Sequence, residues 1–413
     1  MRRTILSFLI ILCTALAAQA QPAPIYTLKS CLEQGLLNNY SLRITRNEQQ
    51  VSKNNATLAN AGYLPTLDLS AGYRGTLDNT ETKLRATGET TKENGVFDQT
   101  IDAGINLSWT IFDGFNITAN YQKLKELERQ GETNTRIAIE DLIANIAAEY
   151  YNYVQHKIRL NNFRYAVSLS KERLRIVEER YHIGNFSRLD YQQAKVDFNA
   201  DSAQYMKQQE LLHTSRIQLN ELMASENVDQ PFIIRDSLID VSDKLNFEEL
   251  WNATLQANAS LLKAEQNNTL ARLDYKKVSS RDYPYVKMNG GYGYTLNKYD
   301  ISANNARIAV QNARLEREQL EQALRADLSN LWQAYQNNLQ MLNLERQNLV
   351  AAKENHEIAM ERYMLGNLSG IEMREAQKSL LDAEERILSA EYDTKLCEIS
   401  LLQISGKVEQ YLE

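Results

Sequence analysis

The sequence predicts a mainly α-helical protein that contains one unit twice: a helix, strands suited to a membrane, and a long helical hairpin. Three observations predict this fold class. Residues 179–187 reappear, with few changes, as residues 361–369. Long segments that lack proline and have helical composition flank both copies. In each half the first helix ends at a proline, and strictly alternating apolar and polar residues follow it.

The chain begins with a predicted signal peptide, residues 1–20. Arg2 and Arg3 supply the positive start, a mostly apolar run follows, and residues 18–20 read Ala-Gln-Ala, a cleavage site of the A-x-A type. We therefore expect an exported chain that begins at Gln21. After residue 20 no stretch has the roughly 18 consecutive apolar residues of a transmembrane helix, so we expect a periplasmic, secreted or membrane-strand protein.

Composition excludes several classes of function. The formal net charge of −7 argues against a nucleic-acid partner. Cys31 and Cys397, the two cysteines after the signal peptide, do not indicate a disulfide framework. The sequence contains no phosphate-binding loop, nucleophile elbow or zinc motif, so we expect neither a cofactor nor catalysis. The histidines lack the spacing of metal ligands, and we expect surface positions for them. They are His156, His182, His213 and His356.

The first half opens with a predicted helix, which Thr27 caps and which runs from Leu28 to about Ala59. Two alternating runs follow, at residues 64–74 and 101–112. Alternation alone fits a half-buried sheet as well as a membrane strand. The export signal and the polar connection between the two runs, which resembles an external loop, favour membrane strands.

A helical hairpin follows the second strand. From residue 114 to 181 there is no proline, and apolar residues recur every three or four positions, which predicts a long helix with a coiled-coil-like seam. Gly184 can end this helix in a left-handed conformation, and Ser187 can begin the next one. Asp190 lies three residues after Ser187, which is the spacing of a capping box. Gly366, Ser369 and Glu372 repeat this arrangement.

The second half repeats the first without a gap up to its strand, where Pro284 matches Pro65. At the tips Gly366 matches Gly184, so the second half is shorter between strand and tip. This shortening predicts one strand where the first half has two. The predicted organisation begins with a signal peptide at 1–20 and a first repeat at 21–225, which has strands 64–74 and 101–112 and a tip at 181–187. A linker at 226–244 follows. The second repeat is predicted at 245–405, with strand 283–296 and a tip at 363–369, and a tail follows at 406–413.

The order of these elements, and their duplication, resemble the TolC family of outer-membrane efflux channels. The most specific marks are the Phe-Asp-Gly turn at 112–114, the two Tyr-x-x-Gly tips, and the helix-to-strand junctions Leu64-Pro65 and Tyr283-Pro284. The resemblance implies a homotrimer in the outer membrane of a Gram-negative cell, extending into the periplasm. Its helices would form an α-barrel and its strands a 12-strand-type β-barrel, to which this chain contributes one strand too few.

The resemblance also implies a function without catalysis or cofactor. The chain would be the exit duct of a tripartite efflux or type I secretion system, coupled by a periplasmic adaptor (a membrane fusion protein) to an inner-membrane RND, ABC or MFS pump. One alternative is a soluble periplasmic coiled-coil adaptor or structural protein. The other is a deletion variant of the channel that does not conduct.

The resemblance assigns roles to residues at the two tips. Glu372 and Glu375 match acidic gate residues, which would form an anionic ring in the trimer. Without the resemblance, Glu372 is a capping-box acid and Glu375 a solvated helix residue. Asp190 and Tyr363 match polar contacts that hold closed tips together, whereas Leu368 replaces the arginine of that contact, for which Arg188 or Arg362 could substitute. The adaptor-docking residues would be Tyr181, Gly184, Asn185, Ser187, Tyr363, Gly366, Asn367 and Ser369.

Overall fold

The computed structural model describes residues 24–83, 90–288, 292–293 and 300–412, so the predicted signal peptide lies outside the described residues. The chain divides into two compact units. The first unit comprises Met1–Arg46, Thr135–Ser260 and Glu321–Glu413, and the second comprises Asn47–Asn134 and Leu261–Leu320.

Long helices account for most of the described chain. The α-helices are α1 (Leu28–Asn38), α2 (Tyr40–Asn55), α3 (Leu58–Ala61), α4 (Asn116–His182), α5 (Arg188–Leu222), α6 (Phe247–Ala257), α7 (Ala259–Ser279), α8 (Asp300–Met364) and α9 (Gly370–Ile404). The strands are β1 (Ile25–Tyr26), β2 (Thr66–Lys83), β3 (Thr90–Asp113), β4 (Ile233–Ile234), β5 (Tyr285–Met288) and β6 (Tyr292–Gly293). The helices α4 and α5 form the first hairpin, and α8 and α9 form the second.

The single helix predicted at the start of each repeat is interrupted. Both repeats have the interruption at the same position and with the same hydrogen bond. Asn39 separates α1 from α2, and its side-chain amide donates to the carbonyl oxygen of Leu222 at 3.0 Å. Asn258 separates α6 from α7 and donates in the same way to Ile404 at 2.9 Å. The two asparagines occupy matching positions of the repeats, and so do their two acceptors. Each asparagine thus ties the start of its repeat to the end of the same repeat.

The first-half strands are longer than the sequence predicts. The strands β2 and β3 pair antiparallel, with Thr66 opposite Ser108 at one end and Lys83 opposite Thr90 at the other. The predicted strand limits, at 64–74 and 101–112, were therefore too short, because much of the polar connection also pairs. Ladder hydrogen bonds join backbone groups, so a polar stretch can extend a sheet without apolar side chains.

The predicted single strand at 283–296 is wrong, because the chain reverses within it. The strands β5 and β6 pair antiparallel, with Lys287 opposite Gly293 and Met288 opposite Tyr292. Residues 289–291 lie outside the described residues, as do 294–299. The sequence of 289–291, Asn-Gly-Gly, is a strong signal for a tight hairpin turn that the alternation concealed. The sheet order is β2-β3-β5-β6, so both halves contribute two strands to one sheet.

The Phe-Asp-Gly turn joins strand β3 to helix α4. The Asp113 carboxylate accepts from the backbone N–H of Ile117, at 2.9 Å for its nearer oxygen, and so caps the helix. Gly114 has φ +68°, and a Cβ at this position would collide with the carbonyl oxygen of Ser280. It would also lie 2.8 Å from Cβ of Tyr283. The turn therefore requires glycine both for its backbone angle and for space.

Gly114→Ala is expected to destabilise the protein by about 3 kcal/mol, the sum of left-handed backbone strain and steric overlap. Gly184→Ala and Gly366→Ala are matched controls. Both glycines have positive φ, at +83° and +76°, but a Cβ at either would meet no atom within 4 Å. We expect each of these to cost only about 1 kcal/mol. Thermal unfolding followed by circular dichroism measures the difference, and equal losses for all three would contradict this account.

The main core lies in the first unit. It joins α1, α4, α5 and the end of α9 to the inter-repeat segment, in which β4 pairs with β1. Its most buried members include Cys31, Leu32, Ile143, Ile146, Tyr150, Val154, Leu219 and Met223. Both described cysteines are free thiols, and burial raises the pKa of Cys31 to about 12.

Candidate functional site

The two hairpin tips have the same backbone. In the first, the N–H of Asn185 donates to the carbonyl of Arg180 at 2.9 Å, and that of Gly184 donates to Tyr181 at 3.0 Å. In the second, Asn367 and Gly366 donate to Arg362 and Tyr363 at 2.8 and 3.0 Å. These are Schellman motifs, which end a helix through a left-handed glycine. The predicted helix ends at Gly184 and Gly366 are confirmed.

The predicted capping boxes are confirmed as well. Ser187 and Asp190 exchange side-chain and backbone hydrogen bonds at the start of α5, and Ser369 and Glu372 do so at the start of α9. Hydrogen bonds from Ser369 hold the pKa of Glu372 below its ordinary value. The capping interaction of Glu372 is therefore fully present above the ordinary glutamate pKa and is lost as the pH falls through the lowered one.

Side chains of both hairpins line a half-open cavity of about 340 Å³ beside the tips, which we call the tip cavity. Its apolar lining comes from α4, α5 and the loop between them, and from α9. Its polar lining includes Asp190, Tyr363 and Glu375, whereas Glu372 does not contribute. Both glutamates are exposed, and within the described part of the chain Glu375 makes no ion pair. The two predicted gate residues thus differ, because only Glu372 is held by a cap.

Asp190 and Tyr363, the predicted tip contacts, line the same cavity without bonding to each other. The Asp190 carboxylate accepts from the hydroxyl of Ser187 at 2.7 Å. Tyr363 is 2% exposed, and its hydroxyl has no hydrogen-bond partner among the described residues. Burial raises the pKa of Tyr363. A contact between them remains a prediction, although both side chains are already at the cavity.

Polar contacts between the hairpins use residues that the sequence analysis missed. The Arg374 guanidinium on α9 makes two hydrogen bonds, of 2.7 and 2.8 Å, to the carboxylate of Asp201 on α5. Arg173 on α4 pairs with Asp197, and it also donates to the carbonyl of Gly370 at 3.4 Å. The Arg374–Asp201 pair therefore joins the two hairpins, whereas Arg173 and Asp197 both belong to the first hairpin and reach the second only through the bond from Arg173 to Gly370. The only signal of these pairs in the sequence is that carboxylates recur on the buried face of α5.

The role of Arg188 or Arg362 as a substitute for the missing arginine contact remains a prediction. Arg188 and Arg362 make no ion pair within the described residues. Both are exposed, next to the turns of their tips. Among the residues that line the tip cavity, the arginines that form ion pairs are Arg173 and Arg374, whose side chains are 7% and 24% exposed.

The histidine prediction was only partly right. His182 and His213 are exposed, but His156 is half-buried and His356 is 7% exposed. Burial lowers the pKa of both inner histidines. His356 follows Ala352 and precedes Ala359 on the buried seam of α8, which explains its position. No group of metal-ligating side chains occurs among the residues that the structure describes.

Comparisons with known proteins agree with this architecture. Residues 31–225 match the family model of outer membrane efflux proteins. The chain is 20% identical to outer membrane protein TolC of Vibrio cholerae over 385 residues, which is 86% of this chain and 84% of that protein. Its fold is similar to that of a membrane protein from Pseudomonas aeruginosa, with a TM-score of 0.76, 17% identity, and coverage of 93% and 91%. The CmeC outer membrane channel of Campylobacter jejuni has the same TM-score and identity, with coverage of 92% and 85%.

None of the described helices combines the length and the apolar character needed to cross a bilayer. The matching family model describes efflux proteins, so the expectation that this chain has no catalytic activity rests on that similarity. The matching family model, the similarity to TolC over most of both chains and the fold shared with outer membrane channels make this chain similar to outer membrane efflux proteins of the TolC type.

Proposed function

We propose that this chain is the exit duct of a tripartite efflux or type I secretion system. In this proposal three copies form the duct, and a periplasmic adaptor joins it to an inner-membrane pump of the RND, ABC or MFS class. The duct itself is passive, and the pump supplies the energy. Each copy would consist of the two predicted repeats and the linker between them.

A matched set of exposed apolar side chains at the tips carries the proposal. Ile183 and Leu189 are 71% and 76% exposed in the first tip, and Leu365 and Ile371 are 75% and 76% exposed in the second. The second pair matches the first in the repeat, so each tip presents the same two apolar positions. Exposed apolar groups that cluster in this way are typical of protein-binding surfaces. They flank the turn residues that we propose as the docking site, from Tyr181 to Ser187 and from Tyr363 to Ser369.

A second exposed seam supports self-association. Leu344 and Ile358 on α8 are 52% and 54% exposed and lie fourteen residues apart, and Leu365, seven residues further and just past the end of α8, is 75% exposed. A heptad spacing keeps such side chains on one face of a helix, where another helix can pack on them. We propose that this face contacts the neighbouring copy in a homotrimer.

One observation favours the second candidate, a variant that does not conduct. Within the described residues β5 has four residues and β6 has two, whereas a strand that crosses a bilayer needs about ten. Purified protein in planar bilayers decides between the two candidates. The exit-duct proposal predicts discrete single-channel currents. Protein that is folded and trimeric but silent would support the deletion variant.

The same bilayers test the proposed gate. Glu372→Gln with Glu375→Gln is expected to raise leak conductance and to increase the trivalent-cation concentration needed for block by about tenfold, a difference of ~1.4 kcal/mol. Rings of carboxylates bind cations, and glutamine removes the charge. Glutamine also keeps the capping box of Glu372. Asp382→Asn, an exposed change on the same helix, is the control. Unchanged block in the double variant would exclude these two residues as the gate.

A further inference from the structure

The tip cavity has the features of a small-molecule site. Its volume of about 340 Å³ falls within the usual range for ligand pockets, roughly 300–1,000 Å³. Val177, Phe186, Leu189, Ala194 and Ile371 give it an apolar lining. Such pockets orient a ligand with a few polar groups set in apolar walls.

Two buried polar groups at this cavity lack partners among the described residues. One is the hydroxyl of Tyr363, and the other is the Nε–H of Arg173, whose side chain is 7% exposed. Most buried polar groups in proteins are hydrogen-bonded, and an unsatisfied one costs about 1–3 kcal/mol. A bound ligand would be able to satisfy the Tyr363 hydroxyl, which can also accept a hydrogen bond.

The charged side chains around the cavity indicate which charge a ligand would carry. Arg173 is already neutralised by Asp197, and Arg374 by Asp201. Asp190 and Glu375 also line the cavity, and neither pairs with a cation in the described part of the chain. Two carboxylates therefore remain without a counter-charge, which favours a cation and disfavours an anion.

We propose that the tip cavity binds a small amphipathic organic cation. Its apolar body would lie against Val177, Ala194 and Ile371, and its ammonium group would face Asp190 and Glu375. An ammonium N–H would donate to the hydroxyl of Tyr363. Because the lining comes from both hairpins, the bound cation would hold the first tip against the second.

Isothermal titration of the purified full-length protein in detergent tests this site, with protein-free micelles as the blank. The probes are 4-phenylbutylamine and 4-phenylbutyrate, which share a body and differ in charge. We expect the amine to bind at least tenfold more tightly than the acid. Glu375→Gln should weaken amine binding by about tenfold, as expected for the loss of a charge-assisted contact. Ala194→Leu, which fills the cavity and keeps its charges, should also weaken it.

Glu361→Gln is the matched control, because Glu361 is exposed near the same tip and does not line the cavity. It should bind the amine as tightly as the unmodified protein. Equal binding of amine and acid would overturn the proposal, and so would equal effects of Glu375→Gln and Glu361→Gln. The titration needs neither membrane nor partner, so its result is independent of whether the chain conducts.

Discussion

Arg374→Ala is expected to lower the free energy of unfolding by about 3 kcal/mol, because it leaves the Asp201 carboxylate buried without its partner. The Arg374 and Asp201 side chains are 24% and 9% exposed. The hydrogen bonds to Asp201 raise the pKa of Arg374, so the arginine stays charged. Because this pair joins α9 of the second hairpin to α5 of the first, the same change should raise basal conductance in bilayers.

A double-mutant cycle with Asp201→Ala separates the pair from other effects of truncation. We expect a coupling energy above about 1 kcal/mol, since residues that bond directly are rarely additive. Arg374→Lys should recover only part of the stability, because an ammonium group cannot make the two parallel hydrogen bonds of a guanidinium. Arg314→Ala serves as the control. Its pair with Glu318 is 73% and 53% exposed, and its loss should cost under ~0.5 kcal/mol.

If Arg374→Ala proved as mild as Arg314→Ala, the Arg374–Asp201 pair would not be what holds the hairpins together. A loss of stability with unchanged conductance would mean that the pair supports the fold and does not affect closure.

Lys395→Ala is expected to destabilise the protein by about 3–5 kcal/mol, because it leaves a buried carboxylate uncompensated. Lys395 and Glu398 have side chains that are 7% and 6% exposed, and their charged groups are 2.9 Å apart. The ammonium lies 5.0 Å from the ring centre of Tyr151 and 5.3 Å from that of Tyr411. Glu398 also accepts from the backbone of Ser242 at 2.9 Å.

This cluster joins the inter-repeat linker, α4, α9 and the C-terminal turn, so unfolding by denaturant should become less cooperative when it is broken. Burial and the nearby Glu398 raise the pKa of Tyr411, whose hydroxyl donates to that carboxylate at 3.1 Å. Tyr411→Phe removes one hydrogen bond and should cost only about 1 kcal/mol. The double change Lys395→Met with Glu398→Leu should be far milder than Lys395→Ala, because it buries no charge. A double variant as unstable as the single one would contradict this explanation.

Local features of the site were predictable from the sequence. The left-handed glycines and the capping boxes involve residues within five positions of one another, so their chemistry is readable in a short window. The gate assignment could be made only by resemblance. The sequence also marks Asn289-Gly290-Gly291 as a turn, but the alternation on both sides favoured one continuous strand. When the loop of a hairpin has an odd number of residues, the alternation of apolar and polar residues keeps its phase from one strand to the next. Alternation alone therefore did not reveal that the chain reverses direction.

The sequence by itself indicated a duplicated, mainly helical chain and predicted an export signal, because duplication, helix periodicity and signal composition can be read from residue order; a channel function followed only from a family resemblance. Only the tertiary structure decided which charges meet. Arg374 and Asp201 are 173 residues apart, and they pair because two hairpins pack side by side. The tip cavity also depends on tertiary packing, because its carboxylates and its apolar side chains come from two hairpins that are distant in the sequence.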